Sequence, residues 1–416
     1  MKEVLRLNEI SPLVNSVFQD KYIMTKDAKE PVGILVRSFN MHEYKLAPSV
    51  LCVGRAGAGT NNIPLDRYAE EGVVVFNTPG ANANAVKELV LCELFLGGRK
   101  IVDGANWAQT LKGKENISKL VEKGKGQFVG QEITGKKLGV NGLTDGEKTV
   151  AEQVESGKKA FAGSEIKDKT LGIMGLGAIG RLVAEAALAL GMKVLAVDPY
   201  LTKEAASTLP EDVRILDNID DMFALSDYLT FHVPLTNETR GFINRESIAK
   251  MKDGVNIINC SRGELVDNES IIQACESGKV NRYVTDFPAT ELLNRKNIIC
   301  TPHLGASTAE AEDNCAIMAA KQIVNFVEKG NIVNSVNYPA VHLDAKGAQR
   351  VVVLFKGDES TGEEAQKILA PFKVVGFVVK TKKAFGAALF NLNVKADESA
   401  LQKLKGINGV TRVLAL

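Results

Sequence analysis

The chain has 416 residues, enough for two or three domains, and 45% hydrophobic with 24% charged residues is ordinary for a globular protein. A net charge of +1 argues against nucleic acid or a strongly charged protein as the partner. The six cysteines show no zinc-binding spacing, and no apolar run reaches membrane-spanning length. We therefore expect a cytoplasmic protein with no metal site and no membrane partner.

The first 98 residues alternate short apolar strands with helices, which predicts a small, flavodoxin-like parallel sheet. Strands are expected at 31–36, 50–53 and 73–76, and a helix at 65–71. A long helix is expected from near Asn84 towards Trp107, and its apolar residues nearly encircle it, so it should be buried. We assign residues 1–98 to a substrate-binding domain that residues 302–335 complete.

A duplicated segment follows. Residues 121–140 resemble residues 154–173, with 11 of the 20 positions identical. The first copy continues into Thr144 and Glu147 where the second has glycines. We therefore expect an insert at about 121–153 that has lost the nucleotide loop of the second copy.

The second copy leads into a glycine-rich turn between an apolar strand at 171–174 and a helix at 181–190. Gly175, Gly177 and Gly180 give the spacing G-x-G-x-x-G, which permits a tight turn and a close approach of a pyrophosphate to the backbone. The amides of Ala178, Ile179 and Gly180 open the helix and are expected to hold the anion. Asp198 ends the next strand, where a carboxylate accepts hydrogen bonds from a ribose. The pattern predicts a Rossmann-type, doubly wound NAD-binding domain over residues 99–301.

Alternating strands and helices continue to residue 301, with strands expected at 228–232, 255–259, 283–285 and 298–300. An amphipathic helix is expected at 306–328, with Ala316, Ala319, Ala320, Ile323 and Phe326 on its apolar side. Residues 348–416 show the order βαββαβ, which predicts a ferredoxin-like third domain.

Three small-residue turns lie at the carboxyl ends of predicted strands, where open α/β sheets bind their ligands. They carry Arg262, Glu291 and His303. Arg262 can bind a substrate carboxylate as a planar fork, His303 can exchange a proton with a hydroxyl group, and Glu291 can orient the imidazole. These three residue types suit hydride transfer between a 2-hydroxy acid and a 2-keto acid.

Six motifs resemble those of the D-2-hydroxyacid dehydrogenase family, and within it the phosphoglycerate branch. They cover nearly all of residues 1–340 apart from the insert. They are Val53-Gly-Arg-Ala-Gly-Ala-Gly-Thr-Asn-Asn62, Asn77-Thr-Pro-Gly-Ala-Asn82, Gly175 to Gly180, His232-Val-Pro234, Asn259-Cys-Ser-Arg-Gly263 and Pro302-His-Leu-Gly-Ala-Ser307.

The resemblance implies a role for each matching residue. Arg262, Glu291 and His303 match the catalytic residues, and Asp198 matches the acid that favours NAD over NADP. Backbone amides of the loop from Ala56 to Gly59, including that of Gly57, would hold the substrate carboxylate. Arg37 and Arg55 would lie near the substrate phosphate. The positions that line the cofactor would be Thr78, His232, Pro234, Cys260, Asp286 and Gly305.

The implied activity is NAD-dependent oxidation of 3-phospho-D-glycerate to 3-phosphohydroxypyruvate, the first step of serine biosynthesis, by a homodimer or homotetramer. Residues 348–416 resemble an ACT domain, a regulatory module, although the loop 356–362 lacks the pattern of serine-binding relatives. Two alternatives stay open: a dehydrogenase for another D-2-hydroxy acid, or a non-enzymatic NAD-sensing protein of the same fold.

Overall fold

The computed structural model describes residues 1–111 and 149–416. The predicted insert lies outside the described residues except for its last few, where Thr149 caps the helix Val150–Gly157. The chain forms two compact units, residues 1–86 with 306–416, and residues 87–305. The expected boundaries at 98 and 301 and the separate third domain differ from this division.

The first unit contains a five-stranded, wholly parallel sheet in the order β2-β1-β3-β4-β5. The expected small parallel sheet is therefore confirmed, with two additional strands at its start. The strands are β1 Lys2–Arg6, β2 Tyr22–Thr25, β3 Pro31–Val36, β4 Cys52–Arg55 and β5 Val74–Phe76. The α-helices are Asn15–Phe18, Leu65–Glu70 and Ala309–Lys329.

The long helix Ala309–Lys329 packs directly on this sheet through small residues. A Cβ added to Gly54 would lie 3.0 Å from Ile323 and 3.3 Å from Ala319, so the glycine lets the helix approach the strand closely. All five residues that the sequence places on the apolar side of this helix are buried. The amphipathic pattern therefore predicted the correct face.

The second unit contains a seven-stranded parallel sheet in the order β12-β11-β10-β9-β6-β7-β8, with the reversal of strand order between β9 and β6. This is the expected doubly wound sheet, with the glycine-rich turn at the carboxyl end of the central strand β6. The strands are β6 Thr170–Met174, β7 Lys193–Val197, β8 Val213–Ile215, β9 Tyr228–Phe231, β10 Val255–Asn259, β11 Val280–Thr285 and β12 Ile298–Cys300.

The helices of this part of the chain include one correction. The single long helix expected from Asn84 to Trp107 is two helices, Ala83–Gly98 and Ile101–Thr110, and the second contains no fully buried residue. The break follows two glycines, which favour a helix end. The remaining helices are Val150–Gly157, Ala178–Ala189, Lys203–Ala206, Ile219–Leu225, Arg245–Ala249 and Asn268–Ser277.

The C-terminal residues form an antiparallel sheet in the order β14-β15-β13-β16 with helices Glu359–Leu369 and Glu398–Lys405. The predicted order βαββαβ is therefore confirmed. The strands are β13 Gln349–Lys356, β14 Val374–Lys382, β15 Phe385–Leu392 and β16 Val410–Ala415. Single 3-10 turns elsewhere are Pro12–Val14, Lys158–Phe161, Gly263–Leu265, Thr290–Leu292 and Ala370–Phe372.

One face of this antiparallel sheet packs on its own helices, and the other joins the core of the first unit. Leu354, Phe385 and Leu389 share a hydrophobic cluster with Phe326 and Tyr338. The C-terminal module is therefore part of the first unit. Among the described residues, no helix has the length and apolar character needed to cross a bilayer.

Arg350 ties this module to the end of the long helix. It is 6% exposed, and its guanidinium donates to the carbonyl oxygens of Lys329 (2.5 Å) and Leu343 (2.6 Å) and to the Asn391 side chain (2.9 Å). The buried charge is dispersed over several acceptors, as a buried guanidinium requires.

We predict that Arg350→Met lowers the free energy of unfolding by about 2–4 kcal/mol, because it leaves buried acceptors without a donor. Urea denaturation measures the change. Lys367→Met, at an exposed position of the same module, is the control and should change stability little. Equal effects of the two substitutions would contradict the structural role of Arg350.

Candidate active site

The three glycines after β6 have three different surroundings. Gly175 has a φ of +89°, and an added Cβ would lie 2.6 Å from the carbonyl oxygen of His232. A Cβ on Gly180 would collide with the carbonyl oxygen of Gly175, whereas a Cβ on Gly177 would meet no atom within 4 Å. The fold therefore requires glycine at 175 and 180. At 177 the fold would accept a side chain, so the glycine there is explained by a ligand that approaches the backbone.

The helix Ala178–Ala189 begins at this open position. Its N-cap is Gly177, and no side chain caps the helix, so the amides of Ala178, Ile179 and Gly180 begin it without a side-chain acceptor. Helix N-termini of this kind bind phosphate groups.

Asp198 lies at the end of β7 and supports the glycine turn. Its Oδ2 accepts a hydrogen bond from the Leu176 amide (2.8 Å) and its Oδ1 accepts one from the Tyr200 amide (2.9 Å). Each carboxylate oxygen can accept a further bond, so the geometry is compatible with the ribose contact expected from the sequence.

His232 and Pro234 follow β9, beside β6. Burial lowers the pKa of His232 to about 4, so the ring is neutral at pH 7. Its Nε2 lies 3.2 Å from Thr230 Oγ1, and its buried Nδ1 has no hydrogen-bond partner within the protein. Pro234 is exposed, and its carbonyl oxygen accepts a bond from Thr239.

Arg262 lies in a turn after β10 that Asn259 organises. The Asn259 side chain donates to the carbonyl oxygen of Arg262 (2.9 Å) and accepts from the Ser261 amide (3.1 Å). The Arg262 side chain is exposed, and its Nη1 donates to the carbonyl oxygen of Ser261. The turn therefore fixes the backbone of Arg262 and leaves its guanidinium at the surface of the unit.

Asp286, at the end of β11, holds the turn that carries His303. Its carbonyl oxygen accepts from the His303 amide (2.8 Å), and its Oδ2 accepts from the Gly305 amide (2.9 Å). His303 has a φ of +49°, an uncommon conformation for a residue other than glycine. The imidazole packs against Phe287, with ring centroids 4.7 Å apart.

The Asp286 carboxyl also interacts electrostatically with both His303 and Arg262. It is 1% exposed, and burial raises the pKa of its carboxyl, while the Gly305 hydrogen bond and the charges of His303 and Arg262 oppose the rise. Its Oδ1 is buried without a hydrogen-bond partner. Like His232 Nδ1, this atom is available to a polar group of a ligand.

Glu291 lies in the turn that follows Asp286 along the chain. It is exposed in the turn Thr290–Leu292, and its carbonyl oxygen accepts from Arg295. The expected orientation of the imidazole by Glu291 stays a prediction.

Sequence reasoning missed Glu93, which is fully buried on the helix Ala83–Gly98. Its Oε2 accepts from the Cys260 thiol at 2.9 Å, and its Oε1 has no partner. Burial raises the pKa of Glu93 to about 8, against the effect of the Cys260 bond, and the Asp286 charge adds to the rise. The signal in the sequence was an acidic residue between Val90 and Leu94, on the apolar side of the helix.

The first unit brings the predicted substrate-binding residues together at the carboxyl ends of β3, β4 and β5. Arg37 follows β3, Arg55 ends β4, and Thr78 follows β5. Arg55 Nε donates to the carbonyl oxygen of Arg37 (3.2 Å), and the Thr78 hydroxyl accepts from the Gly57 amide (2.7 Å). Gly57 has a φ of +146°, and a Cβ there would collide with the Arg55 guanidinium.

The amides of the loop after β4 require a correction. We expected all of them to be available to a ligand carboxylate, but the Ala56 amide donates to the carbonyl oxygen of Val36 (2.7 Å) and the Gly57 amide to Thr78. In the described structure the next amides, at Ala58 and Gly59, make no such bond. The amides of Ala56 and Gly57 are therefore used in hydrogen bonds within the protein.

Comparison with known proteins identifies the family of the chain. Residues 143–305 match the family D-isomer specific 2-hydroxyacid dehydrogenase, NAD binding domain. Hydroxypyruvate reductase of Thermotoga maritima is 37% identical over 287 residues, which are 67% of this chain and 77% of that protein. The chain belongs to the D-2-hydroxyacid dehydrogenase family. The expected NAD-binding domain is thereby confirmed.

The chain also matches longer members of the family and a member of known structure. D-3-phosphoglycerate dehydrogenase of Bacillus subtilis is 32% identical over 352 residues, covering 80% of this chain and 58% of that protein. The chain spans about half the length of the curated phosphoglycerate dehydrogenases it matches. The NAD+-bound 3-phosphoglycerate dehydrogenase structure from Entamoeba histolytica is 26% identical with a TM-score of 0.57, covering 81% of this chain and 98% of that chain.

We predict that Gly177→Ala leaves thermal stability unchanged but raises the Kd for NADH on the order of tenfold, because the methyl group stands where the pyrophosphate meets the backbone. NADH fluorescence titration measures the Kd. Gly406→Ala, a control at a helix end in the other unit, should change neither property. Gly180→Ala should lower the thermal midpoint. Unchanged NADH affinity in Gly177→Ala would contradict the assignment.

We also predict a pH-dependent stability effect of Glu93→Gln. Between the ordinary pKa of 4.5 and about 8, the folded chain keeps a proton on Glu93 that the unfolded chain has lost. Stability of the parent therefore falls as pH rises through this window, with a limiting slope of about 1.4 kcal/mol per pH unit, whereas Gln cannot titrate. The variant should become progressively more stable than the parent from pH 5 to pH 8.

Urea denaturation at several pH values measures this difference. Glu185→Gln, at an exposed helix position in the same unit, provides the control and should show a constant difference. A difference that does not change with pH would show that Glu93 is ionised in the folded protein.

Proposed function

We propose that this family member oxidises 3-phospho-D-glycerate to 3-phosphohydroxypyruvate with NAD as the oxidant. The observation that carries the proposal is that Arg262, Asp286 and His303 follow the neighbouring strands β10, β11 and β12, at one edge of the sheet of the NAD-binding domain. The names of several relatives support the substrate. The reaction would be the first step of serine biosynthesis.

The chemistry follows from the side chains of Arg262 and His303. Arg262 binds the substrate carboxylate in a planar fork and polarises the C2 oxygen. His303 accepts the proton of the C2 hydroxyl as the hydroxy acid is oxidised, and returns it in the reverse direction. The turn bonded to Asp286 fixes the His303 backbone before substrate arrives, which reduces the reorganisation that the reaction needs.

The residues present suit NAD. The open space at Gly177 and the amides of Ala178, Ile179 and Gly180 suit the pyrophosphate, and Asp198 suits an unphosphorylated ribose. The unpartnered Asp286 Oδ1 and His232 Nδ1 suit polar groups at the other end of the cofactor, near Pro234, Cys260 and Gly305. When bound, NAD supplies the hydride acceptor.

A second candidate is oxidoreduction of an unphosphorylated hydroxy acid. The 37% identity to a hydroxypyruvate reductase favours it, since the match covers most of that protein. Comparing kcat/KM for 3-phospho-D-glycerate with that for D-glycerate distinguishes the two candidates.

We extend the proposal to the remaining expectations. The protein acts in the cytoplasm as a homodimer or homotetramer. The C-terminal ACT-like module serves packing and assembly in this proposal, since one face of its sheet is already buried in the first unit.

We predict that His303→Gln lowers kcat for oxidation by about 10²- to 10⁴-fold and preserves NADH binding, because the general base is lost while the nucleotide turn is intact. Initial rates of NADH formation measure kcat, and fluorescence titration measures binding. His342→Gln changes an exposed histidine paired with Asp344 in the other unit and serves as the control. An unaltered kcat in His303→Gln would exclude the mechanism.

A further inference from the structure

Glu312 forms an ion pair with one of the two proposed phosphate ligands. Its Oε1 lies 2.5 Å from Arg37 Nη1, and the two side chains are 46% and 38% exposed. Glu312 lies in the first turn of the helix Ala309–Lys329, which Thr308 caps. A helix N-terminus interacts favourably with a negative charge, so this position suits a carboxylate beside Arg37.

The pair belongs to a connected cluster within the first unit. Arg55 donates from Nε to the carbonyl oxygen of Arg37, and its guanidinium lies against Gly57. Burial raises the pKa of the Cys315 thiol, the charges of Arg55 and Arg37 oppose this, and the charge of Glu312 adds to it. Two guanidinium groups and one carboxylate therefore act on the same buried thiol.

We propose that Glu312 is a specificity-determining residue of the phosphate subsite: it occupies Arg37 in the absence of ligand and competes with the substrate phosphate for that guanidinium. This inference rests on the proposed function, because it concerns how a phosphorylated hydroxy acid is distinguished from an unphosphorylated one.

The competition follows from the chemistry of the groups. A phosphate monoester carries about two negative charges near pH 7 and binds a guanidinium through the same two-pronged geometry that a carboxylate uses. Arg37 cannot offer the same donors to both anions. The apparent affinity for the phosphate is therefore reduced by the fraction of molecules in which Glu312 holds Arg37.

The exposure of the pair makes the exchange feasible. Solvent-exposed ion pairs contribute little to stability, so a dianionic ligand can displace one carboxylate. After displacement the Glu312 carboxylate stays close to the bound phosphate and repels it. Both effects weaken phosphate binding, and neither acts on the carboxylate and hydroxyl groups that react.

Glu312→Gln tests the proposal, since it keeps the size of the side chain and removes the charge. We expect KM for 3-phospho-D-glycerate to fall by about three- to tenfold, with little change in kcat and in KM for D-glycerate. Glu310→Gln is the matched control, because it removes a charge from an exposed residue in the same helix turn. It should lower KM by less than Glu312→Gln.

Three outcomes overturn the proposal. Parallel changes of KM for both substrates would indicate a general structural role. A higher KM for 3-phospho-D-glycerate would show that Glu312 presents Arg37 to the ligand. Equal effects of Glu310→Gln and Glu312→Gln would show a nonspecific effect of net charge.

Direct binding separates this inference from the proposed function. If the parent does not oxidise 3-phospho-D-glycerate, the proposed function fails, and calorimetric titration with that compound and with inorganic phosphate still decides the role of Glu312. Tighter binding to Glu312→Gln, abolished by the additional change Arg37→Gln, supports the competition. Equal binding to parent and variant overturns it.

Discussion

The geometry of the second unit depends on one buried carboxyl group. Asp286 uses its carbonyl oxygen to hold the His303 amide and its Oδ2 to hold the Gly305 amide. Together these bonds maintain the left-handed conformation of His303, which has an intrinsic cost of about 1–3 kcal/mol for a residue other than glycine. One carboxylate oxygen thus serves the fold, and the other is buried and available to a ligand.

The features that the sequence predicted well are those encoded within a few residues. The glycine turn, the strand before it and Asp198 after the next strand are all local, and each has the expected environment. Arg262 and His303 could be placed near each other because their strands are parallel neighbours of β11, and such strands end at the same edge of a sheet.

The features that it did not predict depend on contacts between distant residues. β1 and β2 were missed because neither is a continuous buried apolar run: β1 carries three charged residues, and Tyr22 is the buried residue of β2. Glu93 interacts with Cys260, which is 167 residues away, so no local pattern identifies the pair. The use of the Ala56 and Gly57 amides by Val36 and Thr78 depends on neighbouring strands, which a sequence motif does not show.

The two units solve the electrostatic problem of their sites in different ways. The second unit buries titratable groups, and burial disfavours their charged forms. It raises the pKa of Glu93 and Asp286 and lowers the pKa of His232. Buried charge without a partner is costly, so groups buried in this way interact with a ligand mainly through hydrogen bonds.

The first unit instead presents guanidinium groups, which stay charged at any physiological pH. Arg37 is paired with Glu312, which lies in the first turn of the helix Ala309–Lys329. An internal anion of this kind limits the affinity for every external anion by the same exchange. In the function that we propose, selectivity between substrates then depends on charge: a dianionic phosphate would replace the internal carboxylate, whereas an uncharged hydroxymethyl group would leave the ion pair intact.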